Sequence, residues 1–221
     1  TFLVPLTWER EPFEWKETKH LWPVVAPETG RVEILNHVVF NNSVQNKVTN
    51  FADNFDTAQL DLNWNFRRYP IEDVYKINKE ENRLNLFCHP NQIKERGRAA
   101  LLGFKQTESD FEYLTQMYFQ PKSSDSEAGI SLFQKDDNYI NFTIIKKGDK
   151  HQLQVYVIKN GEILELIKHE LRQYKGNIKF KVIADKDVYK LYYSLKGMDF
   201  KLFASLEGSY LKSNGYTGAH L

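Results

Sequence analysis

Cysteine is nearly absent from this 221-residue chain: Cys88 stands alone, so no internal disulfide can form and no thiolate cage can hold a metal. It ends the strand-like run Arg83-Leu-Asn-Leu-Phe-Cys88, where burial as a small hydrophobe is the expected role. An excess of one charge is missing too, with 30 Lys plus Arg against 29 Asp plus Glu. That balance gives no field to steer the protein toward nucleic acid or an anionic membrane, and neither is expected as a partner. No apolar run approaches the ~20 residues that span a bilayer. The opening Thr-Phe-Leu-Val-Pro-Leu-Thr-Trp lacks the basic start and small-residue cleavage site of a signal peptide. Any targeting signal would lie upstream of residue 1, which leaves cytoplasm, periplasm and secretion all open. The six histidines, at 20, 37, 89, 151, 169 and 220, form no His-x-x-x-His or His-x-His pair, so a zinc site is not expected. Gly-x-Ser-x-Gly, Walker and Gly-x-Gly-x-x-Gly signatures are missing as well, and with them the commoner hydrolase, nucleotide and dinucleotide chemistries.

What is present points to β-structure. Hydrophobic residues make up 41% of the chain and aromatics 14%, enough for a packed core. Residues 1–48 hold four of the seven prolines and three of the four tryptophans without sustained periodicity, and read as an irregular, aromatic-anchored segment. From residue 49 onward, β-branched and aromatic runs recur about every ten residues with turn residues between them. Strands are expected at 83–88, 99–106, 111–120, 128–135, 139–147, 151–159, 162–170, 178–184, 188–195 and 200–206. Asn160-Gly161 is the strongest turn signal, because a type I′ hairpin needs positive φ at both central residues. Lys147-Gly148-Asp149, Lys175-Gly176-Asn177 and Lys196-Gly197 supply others. In residues 139–144, Ile140, Phe142 and Ile144 share one face, while Tyr139, Asn141 and Thr143 share a more polar one. Leu153, Val155 and Val157 likewise oppose Gln152, Gln154 and Tyr156, and Tyr189, Leu191 and Tyr193 fall together. Residues 162–171 have a spacing that could pass for a helix, yet following an Asn-Gly turn they are placed as a returning strand. So many strands mean two antiparallel sheets packed face to face.

Carboxylates are the only candidates for catalysis, and they are poorly arranged. Acids that share a cleft from one strand must sit at i and i+2, and no Glu-x-Asp or Glu-x-Glu pair occurs among the strands. Asp136 and Asp137 fall at a turn with Asn138 and read as solvated turn residues. Phe51-Ala-Asp-Asn-Phe-Asp56 with Asp61 could offer oxygen ligands to a structural calcium, or could be turn and cap chemistry. No catalytic residue and no metal ligand is assigned, and no cofactor beyond that calcium is considered. Twelve tyrosines spread over the strands are expected mostly in packing, so no sugar-stacking platform can be chosen from them.

Two stretches carry a resemblance. Thr1-Phe-Leu-Val-Pro-Leu-Thr-Trp8, followed after a charged insertion by Trp22-Pro-Val-Val-Ala-Pro-Glu-Thr-Gly-Arg-Val32, looks like the close of the five-bladed propeller of glycoside hydrolase family 43. Phe51-Ala-Asp-Asn-Phe-Asp-Thr-Ala-Gln-Leu-Asp-Leu-Asn-Trp-Asn-Phe-Arg-Arg-Tyr-Pro70 resembles the C-terminal domain of that family's β-xylosidases and α-L-arabinofuranosidases. So do Arg83-Leu-Asn-Leu, Phe104-Lys-Gln106, residues 127–133, Asn138-Tyr139 and Gly215-Tyr-Thr-Gly-Ala219 downstream. The fold implied is an all-β, two-sheet antiparallel concanavalin A-like sandwich of jelly-roll type. Residues 1–48 would be the end of the catalytic propeller plus a linker, and residues 49–221 the sandwich, lacking its last strand.

The resemblance places the catalytic carboxylates of an inverting glycosidase upstream of residue 1, so this chain alone is expected to be inactive. It implies an accessory sandwich that packs on the propeller of the same protein and helps close a pocket for xylo- or arabino-oligosaccharides. In several relatives a loop closes that pocket with an aromatic side chain. Asn214-Gly-Tyr-Thr-Gly218 matches that loop, making Tyr216 the pocket lid, with Thr217 and Gly218 shaping the turn; an ordinary hairpin tyrosine is the alternative. The competing functions are a free-standing carbohydrate-binding module for xylan or arabinan and a structural sandwich that assembles a homo-oligomer.

Overall fold

The computed structural model describes residues 4–9, 21–32, 50–68, 74–95, 97 and 99–211. The chain divides into two compact units, Thr1–Phe51 and Ala52–Leu221.

In the first unit, β1 (Leu6–Glu9) and β2 (Trp22–Val25) form an antiparallel pair with Leu6 opposite Val25 and Trp8 opposite Pro23. Ala26 N extends the pairing by donating to Pro5 O at 2.8 Å, and Thr29 N and Gly30 N then turn back onto Ala26 O. Among the described residues each of these strands has one partner, so proline is tolerated where its nitrogen faces the other edge and a missing N–H costs nothing. The irregular reading of this segment missed the pair, since four-residue strands interrupted by proline carry almost no periodic signal.

The second unit is the sandwich. Two short pairs come first: β3 (Trp64–Phe66) with β6 (Leu102–Phe104), and β4 (Tyr75–Asn78) with β5 (Arg83–Leu86). The remaining strands are β7 (Phe111–Tyr118), β8 (Glu127–Lys135), β9 (Asn138–Lys147), β10 (Lys150–Lys159), β11 (Glu162–Glu170), β12 (Asn177–Asp185), β13 (Val188–Ser194) and β14 (Lys201–Glu207). Among the described residues they make two four-stranded antiparallel sheets, ordered β11-β10-β9-β8 and β14-β13-β12-β7. A short 3-10 helix, Gly208–Leu211, follows.

Local chemistry accounts for the connections. Asn160 and Gly161 adopt φ of 53° and 84°, the pair of positive angles that a tight hairpin needs. Residues 162–170 therefore return as β11 on β10, with a bulge beside Val157 and Ile158. At Gly176, φ is 100° and an added Cβ would stand 2.6 Å from the Tyr118 ring, so only glycine fits the approach of β12 to β7.

The period-two pattern sets the core. Ile140, Phe142 and Ile144 of β9, with Leu153, Val155 and Val157 of β10, meet Ile178, Phe180 and Val182 of β12 and Leu191 of β13 in one buried cluster. Phe142 spans the two sheets, edge-on to Phe180 at 4.9 Å and tilted against Phe203 at 5.2 Å between ring centroids.

Two expectations are corrected and one is extended. Cys88 is exposed; its strand ends at Leu86, and the residues after it leave the ladder. The polar face of β9 is buried as well, with Tyr139, Asn141 and Thr143 at 3%, 5% and 4% exposure. The Asp136-Asp137-Asn138 turn is not simply solvated. Asn138 is buried, and its Oδ1 accepts from Asn160 N at 2.8 Å, tying two hairpin turns together. Asp136 holds Arg67 at 2.6 Å.

Candidate functional site

Tyr216, Thr217 and Gly218 lie outside the described residues. The described chain leads toward them through the 3-10 helix, which is pinned in place. Gly208 N donates to Asp187 O at 2.6 Å, and Lys159 Nζ donates to Ser209 O and Tyr210 O at 3.0 Å each. Leu211 is buried in the core cluster, so the segment that continues from it starts from a fixed point on the sandwich.

In the proposed calcium segment, Asp53 acts as a cap. Its Oδ1 accepts from Phe55 N at 2.7 Å and its Oδ2 from Trp64 Nε1 at 2.7 Å. Asp61 Oδ1 accepts from Asn63 N and Nδ2 at 2.8 and 2.7 Å. The bonds from Phe55 N and Asn63 N close Asx turns, those from Trp64 Nε1 and Asn63 Nδ2 tie side chains together, and all four organise the approach to β3. Among the described residues no three His, Cys, Asp or Glu side chains gather as a metal site would require.

The most concentrated chemistry lies on the outward face of the β8–β11 sheet, away from the core. Register puts Glu127, Gly129, Ser131 and Phe133 of β8 beside Ile145, Thr143, Asn141 and Tyr139 of β9. Gln152, Gln154, Tyr156 and Ile158 of β10 flank the same β9 residues on the other side. Exposure is lowest on β9 and rises outward: Gln154 is buried and Tyr156 half-buried, Glu127 and Gly129 are exposed on β8, and Leu166 and Lys168 are exposed on β11.

This face is hydrogen-bonded from within. Thr143 Oγ1 donates to Glu127 Oε1 at 2.6 Å, and Gln154 Nε2 reaches Glu127 Oε1 and Thr143 Oγ1 at 3.4 and 3.3 Å. Asn141 Nδ2 donates to the Tyr156 hydroxyl at 2.6 Å. In the orientation found, Asn141 Oδ1 has no hydrogen-bond partner among the described residues, nor has Ser131 Oγ or Gln152 Oε1.

Arg67 closes one end. Its side chain is 6% exposed, and its guanidinium pairs with Asp136, donates to Glu95 O at 2.7 Å and lies 5.6 Å from the centre of the Phe133 ring. Phe133, Tyr139 and Tyr156 run in succession across the sheet, with centroids 6.5 and 6.2 Å apart.

Electrostatics keep the two phenols neutral. Burial raises Tyr139 to about 12, the Glu127 carboxylate adding to the shift and Arg67 opposing it. Tyr156 is raised further, first by burial and then by Glu127. Both therefore donate and accept as neutral hydroxyls at ordinary pH. Glu127 on β8 and Glu170 on β11 stand at opposite edges of the face with β9 and β10 between them, about 14 Å apart at the usual strand spacing, too far to share a reacting bond, so the arrangement suits binding rather than glycoside hydrolysis. Sequence reasoning placed Tyr139, Asn141 and Thr143 on one face of β9 but passed over them, because only register joins them to Glu127 and Gln154.

Comparison with known proteins fits this architecture. A family model for the β-xylosidase C-terminal concanavalin A-like domain matches residues 52–221. A xylosidase/arabinosidase of Butyrivibrio fibrisolvens is 28% identical over 75% of this chain and 31% of its own length. A non-reducing-end α-L-arabinofuranosidase of Bacteroides ovatus is 21% identical over 86% of this chain and 34% of its own length. The chain thus spans about a third of these curated relatives. The solved xylan β-1,4-xylosidase of Bacillus halodurans aligns over 97% of this chain and 41% of its own, with a TM-score of 0.75 at 17% identity, which speaks to the fold. Two antiparallel sheets around one core, matched by the family over the whole second unit, leave one conclusion: the chain belongs to the C-terminal concanavalin A-like domain family of glycoside hydrolase family 43.

Proposed function

We propose that this chain is the C-terminal part of a hemicellulose-degrading glycosidase of the β-xylosidase or α-L-arabinofuranosidase type. Residues 1–48 end its catalytic propeller and link it to the sandwich, which packs on the propeller of the same protein and helps to close the sugar pocket. The observation that carries this reading is the family match over residues 52–221 in a chain that spans about a third of its curated relatives. The names of those relatives, a xylosidase/arabinosidase and an arabinofuranosidase, supply the substrate class. Tyr216 is the lid residue, with Thr217 and Gly218 shaping its turn. The anchored 3-10 helix at 208–211 supports this, because a lid excludes water usefully only when its base is rigid.

The test compares two preparations on 4-nitrophenyl β-xyloside and α-L-arabinofuranoside. The 221-residue chain alone shows no turnover, and the complete source polypeptide shows turnover that Tyr216→Ala lowers in kcat/KM without changing thermal stability. Turnover by the chain alone would refute the accessory role. An unchanged kcat/KM in the variant would refute the lid.

A further inference from the structure

We infer that the outward face of the β8–β11 sheet is itself a binding site for a neutral sugar chain. Its centre is formed by Asn141, Thr143 and Gln154, with Glu127 on the open rim and the Tyr139 and Tyr156 rings toward the Arg67 end. Three features of the face lead there.

The first is unspent hydrogen-bonding capacity in a buried setting. Asn141 and Ser131 are 5% and 7% exposed, yet Asn141 Oδ1 and Ser131 Oγ have no partner among the described residues. Buried polar atoms are ordinarily satisfied, and leaving one unmet costs about 1–3 kcal/mol. Amide and hydroxyl groups that both donate and accept match the vicinal hydroxyls of a sugar, each of which also does both.

The second is charge. Glu127 and Lys168 project from the rims while Arg67 is already paired with Asp136, and Glu170 with Lys150 at 2.7 Å. Charges of both signs are interspersed, since exposed Lys147 stands on the same face as Glu127, Lys168 and Glu170. A polyanion drawn to Lys147 and Lys168 would also meet Glu127 and Glu170, whereas a neutral polyol meets no like charge.

The third is shape. A low-exposure centre rises to exposed Glu127 and Gly129 on one side and exposed Leu166 and Lys168 on the other. Gly129 keeps its rim low and tight: a Cβ there would fall 2.2 Å from Phe142 O. The half-buried Tyr156 ring offers an apolar surface beside these polar groups, the combination that sugar rings use for stacking.

The pentose class of the sugar rests on the functional reading above; the binding face does not, and it is independent of Tyr216. The experiment titrates the isotopically labelled 221-residue chain with xylotetraose and, separately, with α-1,5-arabinotetraose, following backbone amides and measuring affinity by calorimetry. Shifts gathered on β8, β9 and β10 are expected with at least one of the two. Gln154→Leu and Glu127→Gln should each weaken that binding about three- to tenfold, the loss of one net hydrogen bond. Glu127 is exposed, so its variant folds even if Gln154→Leu does not. Absence of shifts at millimolar sugar, shifts confined to other strands, or affinities unchanged in Glu127→Gln would each overturn the proposal. So would a concentration-dependent dimer whose contact protects the β8–β10 amides. Tyr216→Ala leaves these shifts in place, so failure of the lid and failure of this site are separable.

Discussion

Arg67 and Asp136 form a pair whose two halves should respond very differently to deletion. The guanidinium side chain is 6% exposed and the carboxylate 38%, at an N–O distance of 2.6 Å. At an effective dielectric of about 20 the gross attraction at that distance is ~6 kcal/mol, most of it offset by desolvation. Removing one member of a fully buried pair costs about 3–5 kcal/mol, because the survivor is stranded in a poor solvent. Here the carboxylate is partly hydrated, so Asp136→Ala should cost less, about 2 kcal/mol. Among the described residues the Arg67 side chain would retain its bond to Glu95 O and the Phe133 ring, while Arg68, 3.8 Å from Asp136, would lose its carboxylate as well. Arg67→Met should cost less still, since water can reach the orphaned Asp136. For a domain of this size, 2 kcal/mol corresponds to a fall in Tm of about 4–8 °C. Urea unfolding of the two single variants and the double variant closes the cycle, with the double expected to recover part of the Asp136→Ala loss. Lys135→Ala, which breaks an exposed pair with Asp137 at 2.9 Å, serves as the surface control and should cost under ~1 kcal/mol. If Asp136→Ala costs no more than that control, or less than Arg67→Met, the argument from asymmetric burial fails.

Two further outcomes follow from the same structure. Phe142→Ala removes the ring that touches both sheets and should destabilise the chain by about 3–5 kcal/mol, read as a fall in urea midpoint at unchanged slope; a loss below ~1 kcal/mol would mean that the sheets do not meet at this ring. Tyr139 and Tyr174 are each raised from the ordinary 10.0 to about 12, chiefly by burial. With folded values above unfolded ones, their contribution is complete below pH 10 and lost as pH climbs from 10 through 12, because the unfolded chain releases its protons first. Thermal unfolding across that window should fall less steeply in Tyr139→Phe than in the parent, and parallel profiles would rule the linkage out.

Much of the sandwich was legible in the residues because both of its signals are local. Alternation along 139–147 and 151–159 marks which residues turn inward. The positive φ demanded by Asn160-Gly161 makes residues 162–170 a returning strand in spite of their helix-like spacing. The pair at Leu6–Glu9 and Trp22–Val25 was missed for the same physical reason in reverse, since strands of four residues hold too few periods to register. Cys88 was misplaced because its neighbours look like strand, while the ladder ends at Leu86.

The family and the all-β class were determined by the sequence alone, through motif order and through a side-chain period that any antiparallel ladder must obey. Only tertiary structure decided that the second face of β9 is buried, that Asp136 serves a guanidinium rather than water, and that Glu127, Asn141, Thr143 and Gln154 form one surface. The reason is that period two says which residues share a face of one strand, but strand register and sheet order decide which faces lie side by side. Those depend on contacts between residues far apart in the chain, as between Phe111 and Ala184 where β7 pairs with β12.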